Sequence, residues 1–180
     1  MKLTNIDICK NRCFRQAVRQ LYTRAFPKEE RIPWWLLWLN ACRNGVDLCA
    51  WQDGDTFCGM TSSVTVGNVH FLLFFAVAEN CRGRGYGSEI LRLLRQRYQT
   101  VVLNVEPLTD TAPNLAQRKR RFAFYERNGF VDTGWYVWEI GGKFRVLSTE
   151  ASLNVPAYKK LFRKLTFGLW DVRLKEEKRS

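Results

Sequence analysis

An unbroken apolar run, Phe71-Leu72-Leu73-Phe74-Phe75-Ala76-Val77, stands near the middle of the 180-residue chain. A strand with one face in water alternates apolar and polar residues, so a run without alternation must be covered on both faces. The segment Val69 to Ala78 therefore reads as the central strand of a sheet. A glycine-rich stretch, Cys81 to Gly87, follows it, and then a helical pattern that places Ile90, Leu91, Leu93, Leu94 and Tyr98 on one face. Thr100 to Val105 is a second apolar strand. Strand, helix and strand in this order imply a right-handed crossover and a parallel pair.

The flanking segments complete the pattern. Phe14, Ala17, Val18, Leu21, Tyr22 and Ala25 recur at three- and four-residue spacing, which predicts an amphipathic helix over about 11–25, ended by Pro27. A second helix, apolar nearly all round, is expected from Pro33, at the first helical position, to about Arg43. Val46 to Trp51 and Thr56 to Val66 read as strands joined by the turn Asp53-Gly54-Asp55, and Gly67-Asn68 supplies another turn. Beyond Glu106 to Pro113, a basic helix is expected from about Asn114 to Arg127, stopped by Asn128-Gly129. A hairpin, Phe130 to Ile140 and Lys143 to Ser148, turns at Gly141-Gly142, and Val155 to Phe167 reads as a last helix. The expected fold class is α/β: a mostly antiparallel mixed sheet with a central parallel strand pair and flanking helices, in one domain over residues 1–180.

Charge narrows the partners. With 29 Lys+Arg against 17 Asp+Glu, the chain carries +12, which favours anionic ligands but does not separate a polynucleotide from a phosphorylated cofactor. The cations gather at Arg82 to Arg97, at Arg118-Lys119-Arg120-Arg121 and in the tail Lys159 to Arg179, and the tail reads as a solvated face. Lys2, Asp7 and Lys10 interrupt any leader-like apolar run, and no stretch approaches about 18 uninterrupted apolar residues, so a cytoplasmic protein without a membrane partner is expected. Cys9, Cys13, Cys42, Cys49, Cys58 and Cys81 form no CxxC pair, and His70 is the sole histidine; no metal is expected.

The segment Arg82-Gly83-Arg84-Gly85-Tyr86-Gly87-Ser88 joins the most buried strand to a helix. Backbone N–H groups at a helix N-terminus, with the macrodipole behind them, suit a diphosphate. Gly83, Gly85 and Gly87 permit close approach and positive φ, while Arg82 and Arg84 can add charge-assisted bonds to phosphate. The spacing fits neither a dinucleotide fingerprint, since Gly83-Gly85-Gly87 runs on into Ser88-Glu89-Ile90, nor a P-loop, since no Gly-Lys-Ser/Thr occurs.

Arg82 with Gly85 and Gly87 forms the R-x-x-G-x-G pattern, and Ala76-Val77 through Leu91 resembles motif A of the GNAT acetyltransferases. Phe124-Tyr125-Glu126-Arg127-Asn128-Gly129-Phe130 is similar to that family's F-Y-x-x-x-G-F motif B, and Ala25 to Arg31 resembles the connection between its first two helices. Together these matches span about residues 10 to 140. The resemblance implies acetyl-CoA as cofactor, held by Val77, Arg82, Gly83, Arg84, Gly85, Tyr86, Gly87 and Ser88, and acetyl transfer to a primary amine. It implies Tyr125 as the acid that protonates the departing thiolate; a tyrosine near its ordinary pKa of about 10 is protonated and able to donate. The base is less well marked: Glu106 closes the strand Val101 to Val105 near the expected cleft, and Glu29 and Glu30 lie on the connection expected to line the acceptor pocket. Glu30 and Trp34 are taken as acceptor-binding, with Trp34, Trp35 and Trp38 as candidates for an aromatic wall. Many family members carry asparagine seven residues before the motif B tyrosine, where this chain has Arg118.

The expected acceptor is a small-molecule amine or a protein amino group, handled by a monomer or homodimer. Two alternatives stand beside this reading. One is a nucleic-acid-binding protein on a similar scaffold, suggested by the charge and by Arg118 to Phe124; the other is a CoA-binding regulatory domain without turnover.

Overall fold

The structure is a computed structural model that describes residues 1–109, 111–139 and 142–177. Along the chain run β1 (Leu3–Asp7), α1 (Arg15–Ala25), α2 (Trp34–Ala41), β2 (Val46–Asp53), β3 (Thr56–Val66), β4 (Val69–Val77), α3 (Tyr86–Arg97), β5 (Thr100–Val105), α4 (Leu115–Arg127), β6 (Val131–Glu139), β7 (Gly142–Ser148), α5 (Val155–Leu165) and β8 (Arg173–Glu176). The strands form one eight-stranded sheet in the order β1-β2-β3-β4-β5-β7-β6-β8. Neighbours are antiparallel except β4 and β5, which the crossover helix α3 makes parallel.

Two faces follow from the alternation of side chains. On one, α1, α2 and α5 cover Leu48, Ala50, Met60, Phe71, Phe74, Val102, Val137 and Val146. On the other, α3 and α4 cover Trp51, Leu72, Val101, Leu103, Val105 and Leu147. The central position of the Phe71 to Val77 run explains its lack of alternation, because both faces of β4 are roofed by helices.

Local chemistry sets the element ends. Phe26 is extended, as a residue before proline prefers, and α1 stops at Ala25. Pro33 has non-helical ψ and sits just before α2 as its N-cap, one position earlier than expected. Helix α1 begins at Arg15, after turns at residues 8–10 and 13–14 and a left-handed N-cap, Phe14, whose φ is 59°. Asn154 caps α5 by accepting from the Ala157 N–H at 3.1 Å. Gly129 takes φ 80° and ends α4.

The basic tail is not simply a solvated face. Helix α5 buries Tyr158, Leu161, Phe162 and Leu165, and β8 adds to the sheet beside β6. The expected hairpin turn includes Ile140 and Gly141, which lie outside the described residues; on either side of them Glu139 pairs with Gly142. Among the described residues, no helix is long and apolar enough to cross a membrane.

Candidate active site

The parallel pair opens partway along. β4 and β5 are in register from Val69 and Thr100 to Leu72 and Leu103, and their pairing ends there. β4 carries a bulge: Ser62 faces Phe74 and Ser63 faces Leu72, which leaves Leu73 as the extra residue. Past it, β4 stays with β3 as far as Val77, while β5 stays with β7 as far as Val105. The backbone edges of Phe74–Val77 and Asn104–Val105 thus face a wedge between them without pairing to each other. An extended ligand with amide groups can hydrogen-bond such an edge.

At the mouth of the wedge stands the loop into α3. Gly83 and Gly85 have φ of 72° and 84°, and Gly85 is the N-cap of α3 with no side chain bonding the first-turn N–H groups. Those donors and the positive end of the helix dipole therefore point outward. Gly87, also expected to have positive φ, is instead helical, and its role is packing: a Cβ there would lie 3.2 Å from the Phe124 ring and 3.3 Å from Val77 Cγ2. Tyr86 is buried and donates to Asp53 Oδ2 at 2.9 Å, which ties the loop to the β2–β3 hairpin. Arg82, Arg84 and Ser88 lie at the loop and the first turn of α3, all three exposed; Arg82 Nε donates to the Val77 carbonyl at 3.4 Å, and the Arg84 guanidinium lies 5.7 Å from the Tyr86 ring. A groove of about 460 Å³ runs on from Gly85 and Ser88 past Glu89, Arg92, Arg95 and Arg127.

On the α3–α4 face, Tyr125 is 9% exposed and packs between Phe124 and Phe130. Burial pushes its phenol up to about 12, with a small opposing pull from Arg121, so it is a proton donor throughout the neutral range. Glu106 is engaged at both oxygens: Arg118 lies 3.0 Å from one, Arg121 2.7 Å from the other, and the Asn114 amide donates at 3.3 Å. Arg118 also donates to Asn114 Oδ1 at 2.7 Å and to the Pro107 carbonyl at 3.0 Å, so it binds the start of α4 to the β5–α4 loop.

The opposite face holds the α1–α2 connection. Glu30 there is half-buried, and desolvation together with the nearby Glu106 raises its pKa. Trp34 packs on the core with its ring 6.1 Å from that of Tyr22. Trp35 is 67% exposed, and Trp38 lies under the Arg15 guanidinium at 4.1 Å, so the three tryptophans do not share one wall. His70 is remote from the wedge, stacked on Tyr98 at 3.8 Å and bonded to Thr65; burial lowers its pKa to about 3.

A further group in this region escaped the sequence reading. Asn104, the polar member of the otherwise apolar run Val101 to Val105, donates to Glu139 Oε1 at 2.8 Å and accepts from the Tyr158 hydroxyl at 2.8 Å. A polar residue inside such a run was the available signal. Its partners, on β6 and α5, were not visible from spacing.

A family model described as the acetyltransferase (GNAT) family matches residues 15–130. Among solved structures, a protein assigned to the GNAT acetyltransferases from Bacteroides thetaiotaomicron superposes with a TM-score of 0.68 at 19% identity, covering 94% of this chain and 100% of its own. An aminoglycoside 6'-N-acetyltransferase complexed with coenzyme A gives 0.65 at 16% identity, covering 82% and 96%. The ribosomal-protein-S18-alanine N-acetyltransferase from Escherichia coli gives 0.57 at 17% identity, covering 84% and 96%. A comparison with curated proteins found no match.

Proposed function

The chain belongs to the acetyltransferase (GNAT) family, and on that premise we propose that it transfers acetyl from acetyl-CoA to a primary amine of a small molecule or a protein. The observation that carries the proposal is the uncapped N-terminus of α3, opened by the left-handed Gly83 and Gly85, at the mouth of the wedge between β4 and β5. The residues fit the group. The α3 N–H donors, Arg82 and Arg84 suit the diphosphate of CoA, and the unpaired edge of β4 past Leu73 suits the amides of its pantetheine arm. When bound, acetyl-CoA supplies the activated acyl group as a thioester.

The chain's own residues then divide the work. Gly83 and Gly85 keep side chains away from the approach, Gly87 lets α3 close on Val77 and Phe124, and Tyr86, fixed by Asp53, holds the loop in shape. Tyr125 donates a proton to the leaving sulfur from the α4 side. Glu106, with both oxygens engaged by arginines, is assigned to anchoring α4 through Arg118 and Arg121. Glu30 and Trp34 are assigned to the acceptor side. The test is a thiol-release screen with acetyl-CoA against polyamines, aminoglycosides, amino acids and peptides with free N-termini, alongside calorimetry with CoA. CoA binding and acetylation of at least one amine class are expected. CoA binding without turnover on any of them would favour a regulatory domain, and absence of CoA binding would overturn the reading.

A further inference from the structure

Acetyl transfer to an amine needs a group that removes a proton from the acceptor ammonium, and on the acceptor side that group must be a base with a free lone pair. Glu106 is committed to two arginines, and His70 is buried at the far end of β4. Glu139 differs from both. It is the last residue of β6 and half-buried, and its Oε1 accepts from Asn104, one position past the point where β4 and β5 part. Its other oxygen has no hydrogen bond among the described residues.

By alternation, Glu139 lies on the same face as Val137, Val146 and Tyr158, the face of α1, α2 and α5. Tyr125 lies on the opposite face, under α4. A base on one side of the wedge and an acid on the other match the two ends of the reaction, since the amine attacks the thioester carbon from one side and the thiolate leaves on the other. We propose that Glu139 is the general base for the acceptor amine, and that Asn104 and Tyr158 are the residues that position it. This rests on the acetyl-transfer reading above. In the step, Glu139 takes one proton from the ammonium; the N–C bond to the acetyl carbon forms and the C–S bond breaks. Tyr125 gives its proton to the sulfur and is reprotonated from solvent, and the second proton leaving nitrogen passes to solvent, so the amide, free CoA thiol and one released proton result.

The surroundings suit a base working near neutrality. Burial pushes the Glu139 carboxyl up to about 7, the Asn104 hydrogen bond opposes that rise, and the carboxylate of Glu30 across the α1–α2 connection adds to it. From α5, Tyr158 faces the same network with a phenol held well above its ordinary range, so it stays neutral. Lys143 on β7 lies over the Tyr136 ring at 3.6 Å, on the other face by alternation, and does not neutralise Glu139. Glu106, Arg118 and Arg121 reach this cluster through Glu30. A base is most effective with its pKa near the working pH. The Tyr158 hydroxyl donates to Asn104 Oδ1, which turns the Asn104 amide N–H toward the carboxylate and stabilises the charged form.

The experiment measures kcat/KM against pH from about 5.5 to 9 for wild type, Glu139→Gln, Asn104→Leu and Tyr158→Phe, with acetyl-CoA and spermidine, an aminoglycoside and an alanine-initiated peptide as probes. CoA affinity and melting temperature are recorded for each. Wild type should gain activity through an acid limb near the Glu139 pKa, and Glu139→Gln should lose about 100-fold or more in kcat and lack that limb while binding CoA normally. Asn104→Leu should stay active with its limb moved up by about one pH unit, and Tyr158→Phe should move it less, in the same direction. Wild-type kcat and limb in Glu139→Gln would overturn the assignment. So would an unmoved limb in Asn104→Leu, which keeps the test decisive if Glu139→Gln does not fold. Wild-type protein that acetylates none of the probes would instead overturn the acetyl-transfer reading, and the base with it.

Discussion

Replacing Gly85 with valine separates the backbone's need for glycine from the ligand's. Gly85 has φ 84° with open space around it; a Cβ at this position would have Met1 Cε, 3.8 Å away, as its nearest neighbour, so a side chain meets no steric wall in the folded chain. The cost of folding is the left-handed backbone, about 1–2 kcal/mol for a residue with a Cβ. For a chain of this size that is a fall in melting temperature of about 2–8 °C. Gly54 supplies the control, because it has φ 56°, equally open surroundings, and a place in the β2–β3 turn. Gly54→Val should therefore lose similar stability. The two differ in their effect on CoA. At Gly85 the branched side chain crowds the uncapped first turn of α3, and displacing even one charge-assisted bond, typically about 1.5–3 kcal/mol, weakens binding roughly 10- to 100-fold. The assay is calorimetric titration with CoA beside a thermal melt for both variants. Gly85→Val that is folded and binds CoA like wild type would refute the placement of the diphosphate; an equal loss of affinity in Gly54→Val would show that the effect is only one of stability.

Other expectations follow from single contacts. Tyr125→Phe keeps the ring packing against Phe124 and Phe130 and removes the proton donor, so kcat should fall about 100-fold with CoA affinity and melting temperature nearly unchanged; unchanged kcat with chemistry rate-limiting would remove Tyr125 from the mechanism. Arg118→Ala removes the tie between α4 and the β5–α4 loop while Arg121 still holds Glu106, so stability should drop by about 1–2 kcal/mol with little change in CoA affinity; a collapse of affinity at constant stability would assign Arg118 to the cofactor instead. His70 has a folded pKa of about 3, below its ordinary value, so the unfolded chain binds the extra proton. Its contribution is complete above about pH 6.5 and is lost as pH falls toward 3, with a slope of at most about 1.4 kcal/mol per pH unit. His70→Phe, which keeps an aromatic ring against Tyr98, should flatten the fall in melting temperature between pH 6.5 and 4, and an unchanged slope would show that the acid sensitivity lies elsewhere.

The parts of this fold that were legible in the sequence are those where one residue type has one physical use. An apolar run without alternation at Phe71 to Val77, bounded by turn residues on both sides, reads as a strand roofed twice, and the crossover through α3 then makes its neighbour β5 parallel. The edge strands were not legible. β1 reads Leu-Thr-Asn-Ile-Asp and β8 reads Arg-Leu-Lys-Glu, each paired on one side, and with only Leu3, Ile6 and Leu174 apolar among them they are too short and too polar to show a side-chain period. Their polar and charged residues are what an edge needs to avoid pairing with another chain. The glycine-rich turn into α3 was legible because glycines that close together between a strand and a helix mark a left-handed turn, although the reason for Gly87 was packing against Phe124 and Val77 rather than positive φ. The network of Glu139, Asn104 and Tyr158 was not, since its members come from three elements and nothing in their spacing joins them. The same holds for Glu106: its place at the end of β5 was readable, and its capture by two arginines of α4 was not.

The most direct test of the account is mass spectrometry of the acceptor panel after incubation with acetyl-CoA, with released CoA thiol counted in the same reactions. The account predicts an amine that gains one acetyl group for each thiol released, with both signals falling together in Gly85→Val when acetyl-CoA is limiting. Thiol release without an acetylated amine, or no CoA binding beside tight and CoA-insensitive binding of RNA or DNA, would contradict it.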